Sequence, residues 1–227
     1  MRVIGLISGT SADGIDVATV DLEGQGYEVS AHLIAGFTTP YSADLRQRIL
    51  ATCAGHPLSL ANLADLDEAI AQAFAQAAQH AIDQAGPVDL VASHGQTVFH
   101  RPVQGHQLAY SVQLGRGASL ARRLGLPTVS NFRQADIEVG GEGAPLVPIV
   151  DLCLLSHPQQ RRCVQNIGGI GNVTYLPAWD RRQSPQPPVI LGWDTGPGNS
   201  LIDIAMATLS EGSFTYDRDG AWAAQGT

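Results

Sequence analysis

The chain has 227 residues, 44% of them hydrophobic, which is enough apolar material for one large domain or two small ones. Its formal net charge is -8 and its basic residues are scattered, so the sequence does not predict a nucleic-acid partner, which needs a concentrated basic surface. All 13 basic residues are arginines. This excludes a Walker A loop, which binds nucleotide phosphates with a lysine.

The cysteines and the N-terminus indicate the cellular compartment. Cys53, Cys153 and Cys163 are far apart and in no ligand spacing, which predicts neither a disulfide framework nor a zinc site. The chain enters a strand-like pattern at once, without the features of a signal peptide, and no apolar stretch is long enough to span a membrane. We therefore expect a cytoplasmic protein without a membrane contact.

The first part of the chain predicts a small meander followed by helices. Residues 3–7, 15–22 and 27–37 have strand patterns separated by turn residues, which predicts three antiparallel strands. Residues 42–54 and 60–85 are predicted helices, and the second, with apolar residues at helical spacing, should end at Gly86 and Pro87.

A parallel sheet should continue this unit. Residues 88–92 read as a short strand that delivers residues 93–97 at its end, where α/β sheets place binding groups. A helix over 117–124 and a strand over 128–132 complete the predicted sheet.

A second cycle of similar elements then begins. After a glycine-rich turn come a predicted helix over 146–155 and a strand over 163–167, a loop over 168–171 and a strand over 172–176. A strand over 189–193, a turn over 194–199 and a helix over 200–209 follow. This order suggests a duplicated unit, and the tail does not resemble the end of a domain. We therefore expect an incomplete second domain.

Two glycine-rich loops are candidates for phosphate binding. The loop over residues 8–14 combines two glycines, three hydroxyls and backbone amides that can face an anion, with a metal ion carrying the charge in place of lysine. An ordinary hairpin turn uses the same residues and remains an alternative. The loop over 166–172 is similarly placed between two strands, and two such loops in a duplicated chain favour phosphate binding.

Three further positions are chemical candidates. Asp194 follows a predicted strand and can act as a general base, or merely cap the next turn. Arg133 can pair with a substrate carboxylate, or form a surface ion pair. His94, His100 and His106 recur every six residues, a spacing that does not suit a metal site.

These residues lie in six sequence blocks that together resemble the anhydro-N-acetylmuramic acid kinases. The blocks begin at Gly5, Ser93, Phe132, Asn166, Gly192 and Phe214, and they read GLISGTSADGID, SHGQTVFHRP, FRQADIEVGGEGAPLVP, NIGGIGNVT, GWDTGPGNSLID and FTYDRDGAWAAQG. The resemblance covers the whole chain. It implies an α/β fold of the actin-like ATPase (ribonuclease H-like) type with duplicated domains, the first over 1–140 and an incomplete second over 141–227.

The resemblance also implies an activity and its residues. It implies an enzyme that uses ATP and Mg2+ to open the 1,6-anhydro ring of anhydro-N-acetylmuramic acid and to phosphorylate O6, in peptidoglycan recycling. Asp194 would be the catalytic base, and no protein metal ligand is assigned. The sugar would be lined by His94, Gln96, Arg133 and Asp194, and the nucleotide phosphates would contact Gly9, Thr10, Ser11, Asp13, Gly14, Asp16, Gly168, Gly169 and Asn172.

The sequence departs from the family pattern in a few respects, and two alternative functions stay open. Ala12 replaces a larger apolar residue and Glu142 replaces a glutamine, and family members continue past Thr227. A non-catalytic sugar- or phosphate-binding remnant is therefore one alternative. A glycosidase with Asp13 and Asp194 as its paired carboxylates is the other. An incomplete sheet would also expose apolar surface and promote aggregation or a homodimer.

Overall fold

The structure is a computed structural model that describes residues 1–9 and 11–226. Thr10, a predicted phosphate contact, lies outside the described residues. The chain divides into two compact units, Met1–Leu146 and Val147–Thr227. In the described part of the chain, none of the helices combines the length and apolarity needed to cross a membrane.

The first unit is a mixed sheet with helices. Its strand order is β3-β2-β1-β4-β5, and β6 also pairs with β4. The elements are β1 (Arg2–Ser8), β2 (Gly14–Glu23), β3 (Ser30–Pro40), α1 (Ala43–Cys53), α2 (Leu60–Ala85), β4 (Leu90–Arg101), β5 (Tyr110–Leu114), α3 (Gly117–Leu124), β6 (Thr128–Ser130) and α4 (Gln134–Glu138).

The predicted meander is confirmed, with one boundary moved. β1 pairs with β2 and β2 with β3, both antiparallel. The third strand starts at Ser30 instead of residue 27, because Gly26–Glu28 forms a short 3-10 turn. Gly24 and Gly26 have positive φ angles, so the chain continues its turn through Tyr27 before it extends.

The helix α2 supplies most of the core. Its predicted bounds are confirmed, since the side chain of Ser59 caps the first turn and Gly86, at φ 83°, ends the helix. Phe74 and Ile70 are fully buried against sheet residues such as Ile4. Complete burial of side chains of this size stabilises the fold by roughly 1.5–3 kcal/mol each.

The prediction for β4 was wrong in one respect. Residues 93–97 lie inside a long strand instead of after a short one. β4 pairs in parallel with β1 and β6 over its first half and antiparallel with β5 over its second. Gly95, which reads as a turn residue, sits at a β-bulge with φ 71°, and the strand continues through it. The strand β5 and the short helix α4 were not predicted.

The second unit has a three-stranded antiparallel sheet, with its strands in chain order, and two helices, the first of which packs against the middle strand. Leu152, Leu176 and Trp179 form its small buried core. The guanidinium of Arg181 lies over the Trp179 ring. It also donates hydrogen bonds to the carbonyl oxygens of Leu152 and Cys153, at the C-terminal end of the helix Val147–Leu155, where the helix itself offers these oxygens no partner. The elements are α5 (Val147–Leu155), β7 (Arg162–Ile167), β8 (Ile170–Leu176), β9 (Leu191–Pro197) and α6 (Ser200–Leu209).

The prediction of a turn over residues 194–199 was wrong for most of that range, which belongs to a strand. Asp194 lies inside β9, not after it, because β9 keeps its pairing with β8 as far as Pro197. A register shift between Gly171 and Asn172, with Gly196 at φ 122°, absorbs the irregular backbone. β9 is an edge strand, where proline can be accommodated without losing a ladder hydrogen bond.

The helix α6 exposes an apolar surface. Leu201, Ile202, Ile204 and Leu209 are exposed, and Met206 is buried. We expect the 227-residue chain in isolation to self-associate, and Ile204→Glu to reduce this association as measured by light scattering after gel filtration. Gln186→Glu adds the same charge on an exposed loop. An equal reduction by Gln186→Glu would show that net charge, and not the apolar face of α6, controls the association.

Candidate functional site

The loop between β1 and β2 is a closed and anchored turn. The buried hydroxyl of Ser8 donates to the carbonyl oxygen of Gly14 at 2.7 Å, and the Ala12 amide donates to Gly9 O at 3.2 Å. Ala12 is fully buried at φ 50°. A Cβ atom on Gly9 would meet nothing within 4 Å, so the space beside this part of the loop is open.

The side chain of Gln96 on β4 supports this loop through hydrogen bonds. Its side chain is fully buried, and Nε2 donates to Gly9 O and Thr97 O, both at 3.1 Å. Its Oε1 accepts from the Tyr41 hydroxyl at 3.4 Å. Burial raises the pKa of Tyr41 to about 12, against the opposing bond with Ser8, so the phenol stays protonated and can donate. The structure thus shows Gln96 as a support for the loop, a role that sequence reasoning missed.

The acidic residues of the loop have polar partners. Arg46 on α1 donates to Asp13 Oδ1 at 2.8 Å and to Ser11 O at 3.3 Å. Asp16 accepts from the Thr38 hydroxyl at 2.6 Å. The Arg46–Asp13 pair is exposed, so it fixes the loop weakly, by at most about 1 kcal/mol. Among residues 1–9 and 11–226, no group of three or more His, Cys, Asp or Glu side chains could hold a metal ion.

His94 is the extra residue of a β-bulge. Leu6 pairs with Ser93 and the next residue of β1, Ile7, pairs with Gly95, so His94 has no partner in β1. A bulge of this kind redirects a side chain. A Cβ on Gly95 would overlap the carbonyl oxygen of Leu114, so only glycine fits beside the bulge. The bulge at His94, with glycine at position 95, therefore determines the direction of the His94 imidazole.

The imidazole of His94 contacts Arg133. Arg133 Nε donates to His94 Nε2 at 3.1 Å, and His94 Nδ1 lies 3.0 Å from Gly95 O. Because Arg133 can only donate, Nε2 must accept and Nδ1 must carry the proton. Burial lowers the pKa of His94, the bond to Gly95 O opposes this, and the charge of Arg133 lowers the pKa further. His94 is therefore a neutral imidazole whose Nε2 is occupied.

Arg133 is held by the protein but retains unpaired charge. Its Nη1 donates to Gly143 O at 2.5 Å, and burial lowers its pKa. In the described residues, no carboxylate lies within ion-pair distance of Arg133, so the predicted surface ion pair is not observed. Nη2 likewise has no acceptor within that part of the chain and is available to an anion.

The glycine-rich segment 140–143 positions the carbonyl that holds Arg133. Asp136 Oδ2 accepts from the Gly143 amide at 2.7 Å, and Asp136 O accepts from the Gly141 amide at 2.8 Å. A Cβ on Gly141 would overlap the Asp136 carboxylate. The segment wraps around Asp136 because glycine permits this close approach, and it thereby fixes Gly143 O.

The lowered pKa of His94 predicts a pH dependence of stability. The unfolded chain takes up a proton on this histidine near about pH 6.5 and the folded protein only at a lower pH, so stability is lost as the pH falls below about 6.5. We expect urea unfolding to show a smaller loss between about pH 7.5 and pH 5.5 in His94→Gln than in the wild type. An identical loss in both proteins would contradict this account of His94.

In the second unit, the turn between β7 and β8 is tied to the start of α6. Gly169 O accepts from the Gly198 amide, and Gly168 O accepts from the Asn199 amide, both at 2.9 Å. In a trans peptide the N–H points opposite to the C=O, so the amides of Gly169 and Ile170 point away from α6. Gly198 must be glycine, because a Cβ there would overlap Gly168 O.

Asp194 lies beside this turn within the same unit. It pairs across the ladder with Asn172, so both side chains are on one face of the sheet. Asp194 is exposed, and within the described part of the chain no residue donates a hydrogen bond to its carboxylate. Asn199 is the N-cap of α6, but its side chain makes no capping bond. The carboxylate of Asp194 is thus accessible and without a structural partner.

The predicted residues therefore form two groups, one in each unit. The first contains the loop over residues 8–14, Gln96, His94 and Arg133. The second contains Gly168, Gly169, Asn172 and Asp194. The contacts of Tyr41, Arg46 and Asp136 with the first group were not predicted, because they depend on residues far apart in sequence.

The chain is similar to known proteins along its whole length. The family model for anhydro-N-acetylmuramic acid kinase matches residues 1–227. Proteins of that name from Cyanothece sp. and Synechococcus elongatus are each 59% identical to all of this chain, which covers 60% and 59% of their lengths respectively. One from Trichormus variabilis is 57% identical, with 58% of its length covered.

The chain spans about 60% of the length of the curated relatives it matches. The family match nevertheless extends from its first residue to its last. Five of the six sequence blocks that carry the resemblance coincide with features of the two groups. These features are the loop after β1, the His94 bulge, the Arg133 segment, the β7–β8 turn and the Asp194 strand. On these findings, the chain belongs to the anhydro-N-acetylmuramic acid kinase family.

Proposed function

We propose that the protein is an ATP-dependent kinase that hydrolytically opens the 1,6-anhydro ring of anhydro-N-acetylmuramic acid and phosphorylates O6. The product would be N-acetylmuramic acid 6-phosphate, in the recycling of peptidoglycan. The observation that carries this proposal is the 59% identity, over the whole chain, to proteins that bear the name of this kinase.

The two glycine-rich turns are assigned to the nucleotide phosphates. The loop after β1 is held in place by Ser8, Gln96 and Arg46 before any ligand binds, and the space beside Gly9 is open. In the second unit, the amides of Gly169 and Ile170 point away from the start of α6. Preorganised amides of this kind bind oxyanions without a lysine. Ser11 and Gly14 belong to the first turn, and Gly168 and Asn172 to the second.

The residues present fit a magnesium ion held mainly by phosphates. The described residues contain no cluster of three acidic or histidine ligands, and Mg2+ in phosphate sites is usually held by one or two carboxylates, waters and the phosphates themselves. The exposed carboxylates of Asp13 and Asp16 flank the first turn and are the candidates. When bound, Mg2+ would neutralise phosphate charge during transfer.

Asp194 is assigned as the general base. Its accessible carboxylate would accept a proton from a water molecule as the water oxygen bonds to C1 of the sugar. The C1–O6 bond breaks and its electron pair remains on O6. O6 then attacks the γ-phosphorus, and the bond from this phosphorus to the bridging oxygen of ADP breaks. Water, sugar and ATP thus yield the 6-phosphate and ADP.

Arg133 and His94 are assigned to the sugar side. The lactyl carboxylate of the substrate is an anion, and Arg133 has a half-buried positive charge without a carboxylate partner in the described residues. His94 fixes the guanidinium by accepting from Nε. Gln96 acts indirectly, because its side chain on β4 donates a hydrogen bond to Gly9 O and so supports the phosphate loop.

The test is a product analysis of the natural protein in its full length. We expect NMR to show N-acetylmuramic acid 6-phosphate formed only with ATP and Mg2+, with one ADP released per sugar. Ring opening without ATP would replace the proposal by the glycosidase alternative. Binding of the sugar without any turnover would favour the binding remnant.

The coarser features of the protein fit this assignment. The proposed actin-like domains over 1–140 and 141–227 are supported by the compact units that divide after Leu146. We also propose a cytoplasmic enzyme, because its nucleotide is cytoplasmic, with a homodimer as the candidate assembly. Sedimentation velocity would show a single species of twice the protomer mass if the homodimer is correct.

A further inference from the structure

A cavity opens in the first unit where β4 changes partner. β6 pairs with residues 91–93 of β4, and β5 pairs with residues 96–101, so the two neighbours diverge at His94 and Gly95. The gap between them is a cavity of about 410 Å3. Its lining includes Ser93, Val112, Gly117, Ala118 and Asn131.

Unused hydrogen-bond donors line this cavity. α3 begins at Gly117, and its N-cap, Arg116, makes no side-chain capping bond. In the described residues, no acceptor faces the amides of Gly117 or Ala118. These amides form the positive end of the helix dipole and favour an acceptor oxygen.

Ser93 is an independent sign of a ligand. Its side chain is 1% exposed, and its Oγ has no hydrogen-bond partner among the described residues. Ser93 pairs with Ser130 in the parallel ladder, so both side chains lie on one face of the sheet. On that face Ser130 Oγ contacts the start of α3, where a Cβ on Gly117 would overlap it. The Ser93 hydroxyl therefore lies on the side of the α3 amides.

The charges around the cavity favour a neutral ligand group. Arg116 pairs with Asp67 at 2.8 Å and with Glu68 at 3.3 Å, and Arg123 pairs with Glu68 as well. The two positive and two negative charges of these side chains balance one another. What remains for a ligand is a set of neutral hydrogen-bond donors and the N-terminus of α3. A carboxylate gains more from an unpaired cation such as Arg133, because charge-assisted bonds are about twice as strong as neutral ones.

We propose that this cavity binds the acetamido group of the sugar through its carbonyl oxygen. The Ser93 hydroxyl and the α3 amides would donate to that oxygen, and the methyl group would lie against the apolar wall that Val112 and Leu114 of β5 contribute. The inference rests on the proposed function, since the acetamido group belongs to the proposed substrate. It gives Ser93 a specificity role that differs from that of Arg133.

The test compares three ligands by calorimetry on the natural protein in its full length. They are anhydro-N-acetylmuramic acid, its 2-deoxy analogue without the acetamido group, and 1,6-anhydro-N-acetylglucosamine, which lacks the lactyl group. We expect Ser93→Ala to weaken the binding of the two ligands that carry the acetamido group about tenfold, because the acetamido carbonyl loses a donor in a buried site. The affinity for the 2-deoxy analogue should stay within about twofold of the wild type.

The control is Thr19→Val, which removes the other fully buried hydroxyl without a partner in the described residues, far from this cavity in β2. It should leave binding of all three ligands unchanged. Neither variant should lower the thermal midpoint appreciably, because neither hydroxyl makes a bond that would be lost.

Three outcomes would overturn the inference. Unchanged binding in Ser93→Ala would show that the cavity takes no part of the sugar. Weakening of the first two ligands, but not of the third, would place the lactyl group in the cavity. Equal weakening of all three would indicate a general distortion. A wild type that binds none of the ligands would instead remove the proposed function itself, and this inference with it.

Discussion

Asp194→Asn should lower kcat by about a thousandfold or more while changing KM by only a few fold. General-base catalysis typically contributes about 10²–10⁴-fold, and an amide cannot accept the proton that the attacking water loses. The substitution keeps the shape of the side chain. Asp194 is exposed and has no donor partner in the described residues, so the fold should not depend on its charge. The measurement is steady-state kinetics with NMR detection of the 6-phosphate.

The matched control for Asp194→Asn is Asp180→Asn. Asp180 lies in the same unit and accepts from the Arg182 amide at 3.0 Å and from the Gln183 side chain at 2.8 Å. An asparagine retains acceptor oxygen at this site, so kcat should stay within about twofold of the wild type. If Asp194→Asn retained a tenth of the wild-type kcat, Asp194 would not be the base, and the assignment would have to move to another carboxylate.

Elements with local signals were predicted well. α2 has its first and last residues as expected, because Ser59 supplies a capping hydroxyl and Gly86, with a positive φ, ends the helix. α3 ends at Gly125 with φ 66°, and α6 also has its predicted bounds, although neither helix has a side-chain capping bond at its N-terminus. The ends of α2 and the C-terminus of α3 depend on residues within a few positions of the helix end, which a sequence displays directly.

The two strands that carry the candidate site were predicted less well. Gly95 and Gly196 read as turn residues, but each has a positive φ within a bulged strand. A bulge exists only relative to a neighbouring strand, such as β1 for the bulge at His94 or β8 for the bulge at Thr195, next to Asp194. The sequence therefore indicated the polar residues but not that the sheet continues through them.

The contacts that hold the site in place were also beyond the sequence. Gln96 reaches Gly9 across 87 positions, and Arg133 reaches His94 across 39. Such pairs depend on which strands become neighbours, which local patterns do not determine. Gly198 illustrates the same limit, because it is required by a close contact with Gly168 in another segment and not by a turn of its own.

Arg133→Met should weaken the binding of anhydro-N-acetylmuramic acid by about 10–100-fold, which is the loss of affinity expected when a hydrogen bond to a charged group is removed. It should weaken 1,6-anhydro-N-acetylglucosamine far less, because that sugar has no lactyl carboxylate. Arg48→Met is the control, since Arg48 is on α1 and pairs only loosely with Asp44 at 3.9 Å. Equal losses for both sugars would mean that Arg133 supports the fold of the site instead of recognising the carboxylate.

The same variant tests the link from Arg133 to His94. Arg133 lowers the pKa of His94 by its charge, so Arg133→Met should raise that pKa, which NMR titration of the imidazole would measure. The pKa of folded His94 would then lie closer to that of the unfolded chain, so the loss of stability between about pH 7.5 and pH 5.5 should be smaller in Arg133→Met than in the wild type. If the pKa rises but binding is unchanged, Arg133 tunes His94 without touching the sugar. If binding falls and the pKa rises together, one guanidinium performs both tasks, as its bond to His94 through Nε and its unpaired Nη2 predict.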